Sequence, residues 1–182
     1  MIDFHNHILP NIDDGSSSLE MSLSMLSSAA KQGITDVVNT VHYQHPKLHG
    51  LDISYKRVLK KIKTLQYQLD KISIPIRLHM GAEVFFMPNL TEIIEDPLTT
   101  FGDGKYMLIE FFPQNIPENQ KEILFNLKMS GVTPIIAHPE RYVPVQKNPN
   151  LVYNWLNAGC IIQVDAGSTL GLLGKSAKEA SQ

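Results

Sequence analysis

Six short apolar runs, at residues 1–5, 35–41, 76–84, 106–111, 133–137 and 160–164, read as strands, and helix-like stretches separate most of them. Repeated strand–helix alternation calls for a parallel sheet with crossover helices. Residues 17–32 open with Ser17-x-x-Glu20 as a capping box, place Leu19, Leu23, Leu26 and Ala30 on one face, and stop at Gly33. Residues 54–72 carry Tyr55, Val58, Leu59, Ile62, Leu65, Leu69 and Ile72 as an apolar stripe. Residues 117–129 and 149–157 each have a proline near the start and a glycine, Gly131 or Gly159, just past the end. A loop from Gly167 and a weak helical start at 175–180 close the chain without a further strand. The expectation is an α/β, barrel-like arrangement whose site lies at the C-terminal ends of its strands, stopped in mid-unit and short of a full eightfold barrel.

Composition narrows the function. At 182 residues with a formal net charge of −2, the chain is expected to form a single domain over 1–182, and no long basic run argues for nucleic acid as partner. The densest basic stretch, Lys56 to Lys63, falls on one helix as a solvated face. Cys160 is the only cysteine, which excludes an intrachain disulfide, and it sits in the apolar Cys160-Ile161-Ile162 as a buried thiol. Without a Cys-x5-Arg loop a cysteine-nucleophile phosphatase is disfavoured, and the compartment reads as reducing. With no basic-then-apolar leader and no run of about 18 apolar residues, the expectation is a soluble, cytoplasmic protein without membrane insertion.

The chemistry-bearing residues cluster at strand ends. His5-Asn6-His7 follows the first run, and period-two alternation points both imidazoles to one side. A turn role accounts for one carboxylate of Asp13-Asp14-Gly15 and leaves the other as a ligand candidate. His42 ends the second run, whereas His45 and His49 continue into a polar loop, where they would line a substrate entrance. Glu83 and Glu110 are carboxylates inside apolar stretches, where a charge needs a partner, either an arginine or a metal. In Ala137-His138-Pro139-Glu140-Arg141-Tyr142 a strand ends at His138, Pro139 turns the chain, and Arg141 presents a planar fork suited to phosphate, with Glu140 placed to orient it. Several imidazoles with several carboxylates suit manganese, iron or zinc better than calcium or magnesium. Two-metal hydrolases hold such ions about 3.5–4 Å apart, so phosphate-ester hydrolysis is the expected chemistry.

These strings, Met1-Ile-Asp-Phe-His-Asn-His with Asp-Asp-Gly, Thr-Val-His42, Gly-Ala-Glu83, Leu-Ile-Glu110-Phe and Ile-Ala-His138-Pro-Glu-Arg141-Tyr, resemble the PHP (polymerase and histidinol phosphatase) superfamily. Within it the chain looks like the manganese-dependent tyrosine-protein phosphatases of bacterial capsule and exopolysaccharide biosynthesis. The resemblance implies a distorted (βα)7 TIM-like barrel, here expected to be incomplete at the C-terminus, and two or three divalent ions, manganese first with iron, zinc or cobalt as alternatives. It implies His5, His7, Asp14, His42, Glu83, Glu110 and His138 as metal ligands and Arg141 as the phosphate-binding residue; Arg141 and Asp14 are the expected catalytic residues, with Arg141 and His45 expected in substrate binding. The implied mechanism is direct attack of metal-bound hydroxide, and the implied partner is the phosphotyrosine tail of a membrane-associated bacterial tyrosine kinase. Homo-oligomerisation stays open.

Two positions depart from the family pattern. Thr40-Val41-His42 stands where Thr-Pro-His is usual, and an Asp-Ala-His motif expected on a later closing strand is absent; Asp165-Ala166-Gly167 resembles it only superficially. Two alternatives therefore accompany the leading reading: a small-molecule phosphoesterase of histidinol-phosphatase type, and an inactive truncated remnant that only binds the kinase tail.

Overall fold

Each apolar run becomes a strand because a parallel strand covered by helices must be apolar on both faces. The computed structural model describes residues 1–48 and 50–182; His49, expected to be a loop histidine, lies outside the described residues. The strands are β1 (Ile2–Asn6), β2 (Asp36–Tyr43), β3 (Arg77–Phe85), β4 (Tyr106–Glu110), β5 (Thr133–Ala137) and β6 (Ile161–Gln163). The helices are α1 (Leu19–Lys31), α2 (Tyr55–Lys71), α3 (Gln120–Met129), α4 (Val143–Lys147), α5 (Asn150–Asn157), α6 (Ala166–Thr169) and α7 (Lys175–Ala180). Contacts divide the chain into two compact units, one of residues 1–83 and 96–99, the other of 84–95 and 100–182.

In the first unit β1 and β2 pair in parallel, and the register slips between Asp3, opposite Val37, and Asn6, opposite Asn39. Three steps on β1 thus match two on β2, which is a bulge. Side chains bridge the slip: the Asn6 amide N–H donates to Thr40 Oγ1 at 3.0 Å, and Asn6 Nδ2 donates to Asp3 Oδ2 at 2.7 Å. Helix α2 buries Val58, Ile62, Leu65 and Leu69, the centre of its expected stripe, whereas Tyr55 and Ile72 at its ends are exposed. Within its expected solvated basic face, Lys61 Nζ donates to the Pro10 carbonyl at 2.6 Å and so ties the helix to the loop before Asp13. Helix α1 is capped by Ser18, which accepts from the Met21 N–H, and not by Ser17 as the Ser17-x-x-Glu20 pattern suggested. The adjacent serines offer two registers, and tertiary contact chooses between them: buried Ser22 Oγ donates to the Ile8 carbonyl at 2.6 Å, fixing the phase of the helix.

In the second unit β4 pairs with β5 and β5 with β6, all parallel, with Ile109 opposite Ile136 and Ala137 opposite Gln163. Met107, Leu108, Ile109, Phe111, Leu127, Ile136 and Ala137 are almost wholly buried. Phe111 stacks on Trp155 with an interplanar angle of 7°, and Trp155 Nε1 donates to buried Gln120 Oε1 at 2.9 Å. Helices α3 and α5 end as expected, with Gly131 and Gly159 in left-handed conformations at φ +89° and +79°. The short α4 and α6 carry no usable periodicity, and the loop expected after Gly167 contains most of α6.

Candidate metal centre

β1 and β2 of the first unit deliver three imidazoles to one carboxylate oxygen. His5 Nε2 and His7 Nε2 each lie 3.2 Å from Glu83 Oε2, and His42 Nδ1 lies 3.3 Å from the same atom. The two Nε2 atoms are themselves 3.3 Å apart, and Glu83 is 1% exposed. Nitrogen lone pairs converging on a buried anionic oxygen are the donor set of a first-row divalent ion, so the residues present fit the implied metal. On the opposite side of His42, Nε2 faces Asp14 Oδ1 at 3.3 Å, and His7, Asp14 and His42 form a second group with ligand atoms within 4.8 Å of one another.

The two aspartates have different environments. Asp14 is exposed at the mouth, whereas the Asp13 side chain is fully buried and has three partners. Its Oδ2 lies 3.0 Å from His7 Nδ1 and accepts from the His42 N–H at 3.2 Å, while Oδ1 accepts from the Gly15 N–H at 3.1 Å. A carboxylate on the far nitrogen of a ligating histidine fixes its tautomer and orientation. Burial opposes ionisation of Asp13, but the hydrogen bond and charge of His7 outweigh it and hold the carboxyl below its usual range. For His7, burial favours the neutral ring, yet hydrogen bonds to Asp13 and Glu83 prevail and push its pKa up to about 10. A cation entering this set replaces that proton. Asp13 is the residue sequence reasoning passed over, because a turn explains an aspartate before glycine equally well.

Gly15 closes the loop against β1. The Ser16 N–H donates to the His7 carbonyl at 3.1 Å, and a Cβ at Gly15 would overlap that oxygen and lie 2.6 Å from His7 Cβ. His45 packs its ring 5.0 Å from that of His42 and accepts from the Lys47 N–H through Nδ1.

In the second unit Glu110 and His138 stand at the ends of β4 and β5, both buried, and His138 takes a left-handed backbone at φ +33° before Pro139. The Tyr142 hydroxyl donates to the Ala137 carbonyl at 2.7 Å and accepts from the Phe111 N–H at 3.1 Å, fastening these strand ends together. Arg141 is half-exposed, its Nη1 3.9 Å from Asp165 Oδ2. Glu140, expected to orient Arg141, is buried, and its Oε1 accepts from the Asp165 N–H and from Ser168 Oγ.

A family profile for capsular polysaccharide synthesis proteins, CpsB/CapC, matches residues 1–182. The chain belongs to this family. It is 32% identical to a putative tyrosine-protein phosphatase CapC of Staphylococcus aureus over all of its 182 residues and 70% of that relative. It is 31% identical to the tyrosine-protein phosphatase YwqE of Bacillus subtilis, again over its whole length and 70% of that relative. Among solved structures it is similar to one described with YwqE from Bacillus subtilis and CpsB from Streptococcus pneumoniae as unique metal-dependent tyrosine phosphatases. The TM-score is 0.91 at 32% identity, over 98% of this chain and 72% of that one. The α/β fold expected from the sequence is therefore borne out for this CpsB/CapC member. Cys160 is buried as expected, and burial pushes its thiol up, against a smaller opposing pull from Lys128. Among the described residues no helix is long and apolar enough to cross a membrane.

Proposed function

We propose that residues 1–182 work as a metal-dependent protein-tyrosine phosphatase domain in capsule or exopolysaccharide biosynthesis. The observation that carries this reading is the convergence of His5, His7 and His42 on Glu83 Oε2, in a chain whose relatives are named tyrosine-protein phosphatases. His5, His7, Asp14, His42 and Glu83 are the ligands of the first unit, with Glu110 and His138 proposed as ligands from the second. Manganese is the proposed ion, and bound divalent ions supply positive charge to phosphoryl oxygens and acidify water. Asp13 holds His7 in register through Nδ1. Arg141 binds two phosphoryl oxygens through its fork, and exposed Asp14 accepts the proton of the attacking water at a carboxylate oxygen. His45 flanks the incoming ester. Attack is direct in this reading, and the one thiol, buried with its pKa pushed up, offers no cysteine nucleophile.

An aryl ester suits the second unit, where Phe85, Phe86, Met87, Pro88, Phe111 and Phe112 line a cavity of about 250 Å³. The substrate we assign is a phosphotyrosine tail of a membrane-associated tyrosine kinase, met in the cytoplasm. The test is phosphate release from a tyrosine-phosphorylated peptide with manganese and with chelator in parallel, alongside Glu83→Gln. Manganese-dependent turnover lost in the chelator and in the variant is expected; equal turnover in all three would overturn the reading.

A further inference from the structure

Glu140 is 1% exposed, an unusual place for a carboxylate beside a half-exposed arginine. Its Oε1 accepts from the Asp165 backbone N–H at 3.1 Å and from Ser168 Oγ at 2.7 Å. Among the described residues its Oε2 is buried with no hydrogen-bond partner. A buried carboxylate that leaves one oxygen bare is a poor device for stability alone, and such groups call for another explanation. Its own backbone is fixed as well: the Glu140 carbonyl accepts from Gln146 Nε2 at 2.8 Å, and the Arg141 N–H donates to the His138 carbonyl at 3.0 Å. The 139–141 turn that carries Arg141 is thereby joined through one side chain to the turn that starts at Asp165.

Asp165 is the N-cap of that second turn, its Oδ1 accepting from the Gly167 N–H at 2.7 Å. The other oxygen, Oδ2, faces Arg141 Nη1 at 3.9 Å. With one oxygen committed to the cap, the second points in a direction set by the turn, and Glu140 sets the turn. An exposed pair at that distance adds little stability. It does restrict the rotamers of a long side chain, and a planar fork that must meet two phosphoryl oxygens gains from being restricted beforehand.

We infer that Glu140 is a positioning residue for the phosphate-binding arginine: by gripping the Asp165–Ser168 turn it sets the Asp165 carboxylate against Arg141 and so aims the guanidinium. The inference rests on Arg141 binding phosphate, as proposed above. It predicts coupling between positions 140 and 141 and rescue by an isostere, since Gln at 140 keeps an oxygen acceptor for both donors.

The experiment is a double-mutant cycle on the manganese-loaded chain, read by calorimetric binding of inorganic phosphate and by KM for a tyrosine-phosphorylated peptide. Arg141→Ala is expected to weaken phosphate binding by more than about tenfold, Glu140→Ala by about fivefold, and the double variant no more than Arg141→Ala alone. Glu140→Gln is expected to stay within about twofold of the parent. Asp165→Asn, which keeps the backbone donor and the cap, gives the same coupling at about threefold should Glu140→Ala not fold. Additive effects of positions 140 and 141, or of 165 and 141, would overturn the inference while leaving the role of Arg141 intact. Unchanged phosphate affinity in Arg141→Ala would overturn both.

Discussion

Replacing Gly15 by alanine tests how closely the metal-site loop is fitted to its strand. The added methyl would overlap the His7 carbonyl oxygen and sit 2.6 Å from His7 Cβ, whereas relaxed carbon contacts need about 3.5 Å or more. Relief demands a shift of roughly 0.9 Å, and neither side is loose: Gly15 N–H is held by Asp13 Oδ1 and the His7 carbonyl by Ser16 N–H, each at 3.1 Å. Overpacking of this kind costs about 1–3 kcal/mol. At about 2–4 °C per kcal/mol for a chain of this size, the metal-free protein should melt roughly 2–12 °C lower. Because the strain lands on His7 and on the loop of Asp13 and Asp14, a displacement near 1 Å should also cost about 100-fold in turnover. Thermal melts, calorimetric manganese titration and phosphopeptide hydrolysis would be measured beside Ser24→Ala, an exposed position within helix α1, as the control. If Gly15→Ala melts with that control and binds manganese as the parent does, the reasoning is refuted.

Tyr142→Phe leaves the Phe111 N–H and the Ala137 carbonyl without their partner, and chemical denaturation should show a loss of about 1–3 kcal/mol; under 0.5 kcal/mol would count against the bridge. Asp13→Asn should lower manganese affinity about 10- to 100-fold in calorimetry by loosening His7, with little change expected at exposed Asp52→Asn. Manganese at 100 times its dissociation constant should stabilise the parent by about 2.7 kcal/mol, and chelator should reverse the shift in melting temperature. Burial keeps the Cys160 thiol protonated to higher pH than a free cysteine, so iodoacetamide labelling at pH 8, followed by mass, should be slow until urea unfolds the chain.

Much of this was legible in the chain because parallel strands announce themselves as apolar runs and their ends carry the chemistry. The apolar runs place the six strands of the described residues to within a few residues, while the His5-x-His7 alternation, the strand end at His42 and a carboxylate in apolar company at Glu83 mark candidate ligands. What stayed hidden was set by contacts distant in sequence. Whether Asp13 or Asp14 faces inward depends on the reach of His7 Nδ1 and the His42 N–H, neither of which a turn pattern encodes. The same holds for Glu140, whose partners lie 25 and 28 residues onward. Helices α4 and α6, of five and four residues, are shorter than the windows over which periodicity can be read.

The slip between Asp3 and Asn6 makes the histidine pair a matter of counting as well as of chemistry. One surplus residue on β1 decides which way His5 and His7 leave the strand, and Thr40 and Asp3 are cut to that count. Substitutions nearby can be absorbed by neighbours, but a single insertion or deletion between residues 3 and 7 would turn an imidazole away from Glu83 while leaving the composition of the segment almost unchanged. This stretch is therefore fixed in length as well as at the side chains that carry its contacts.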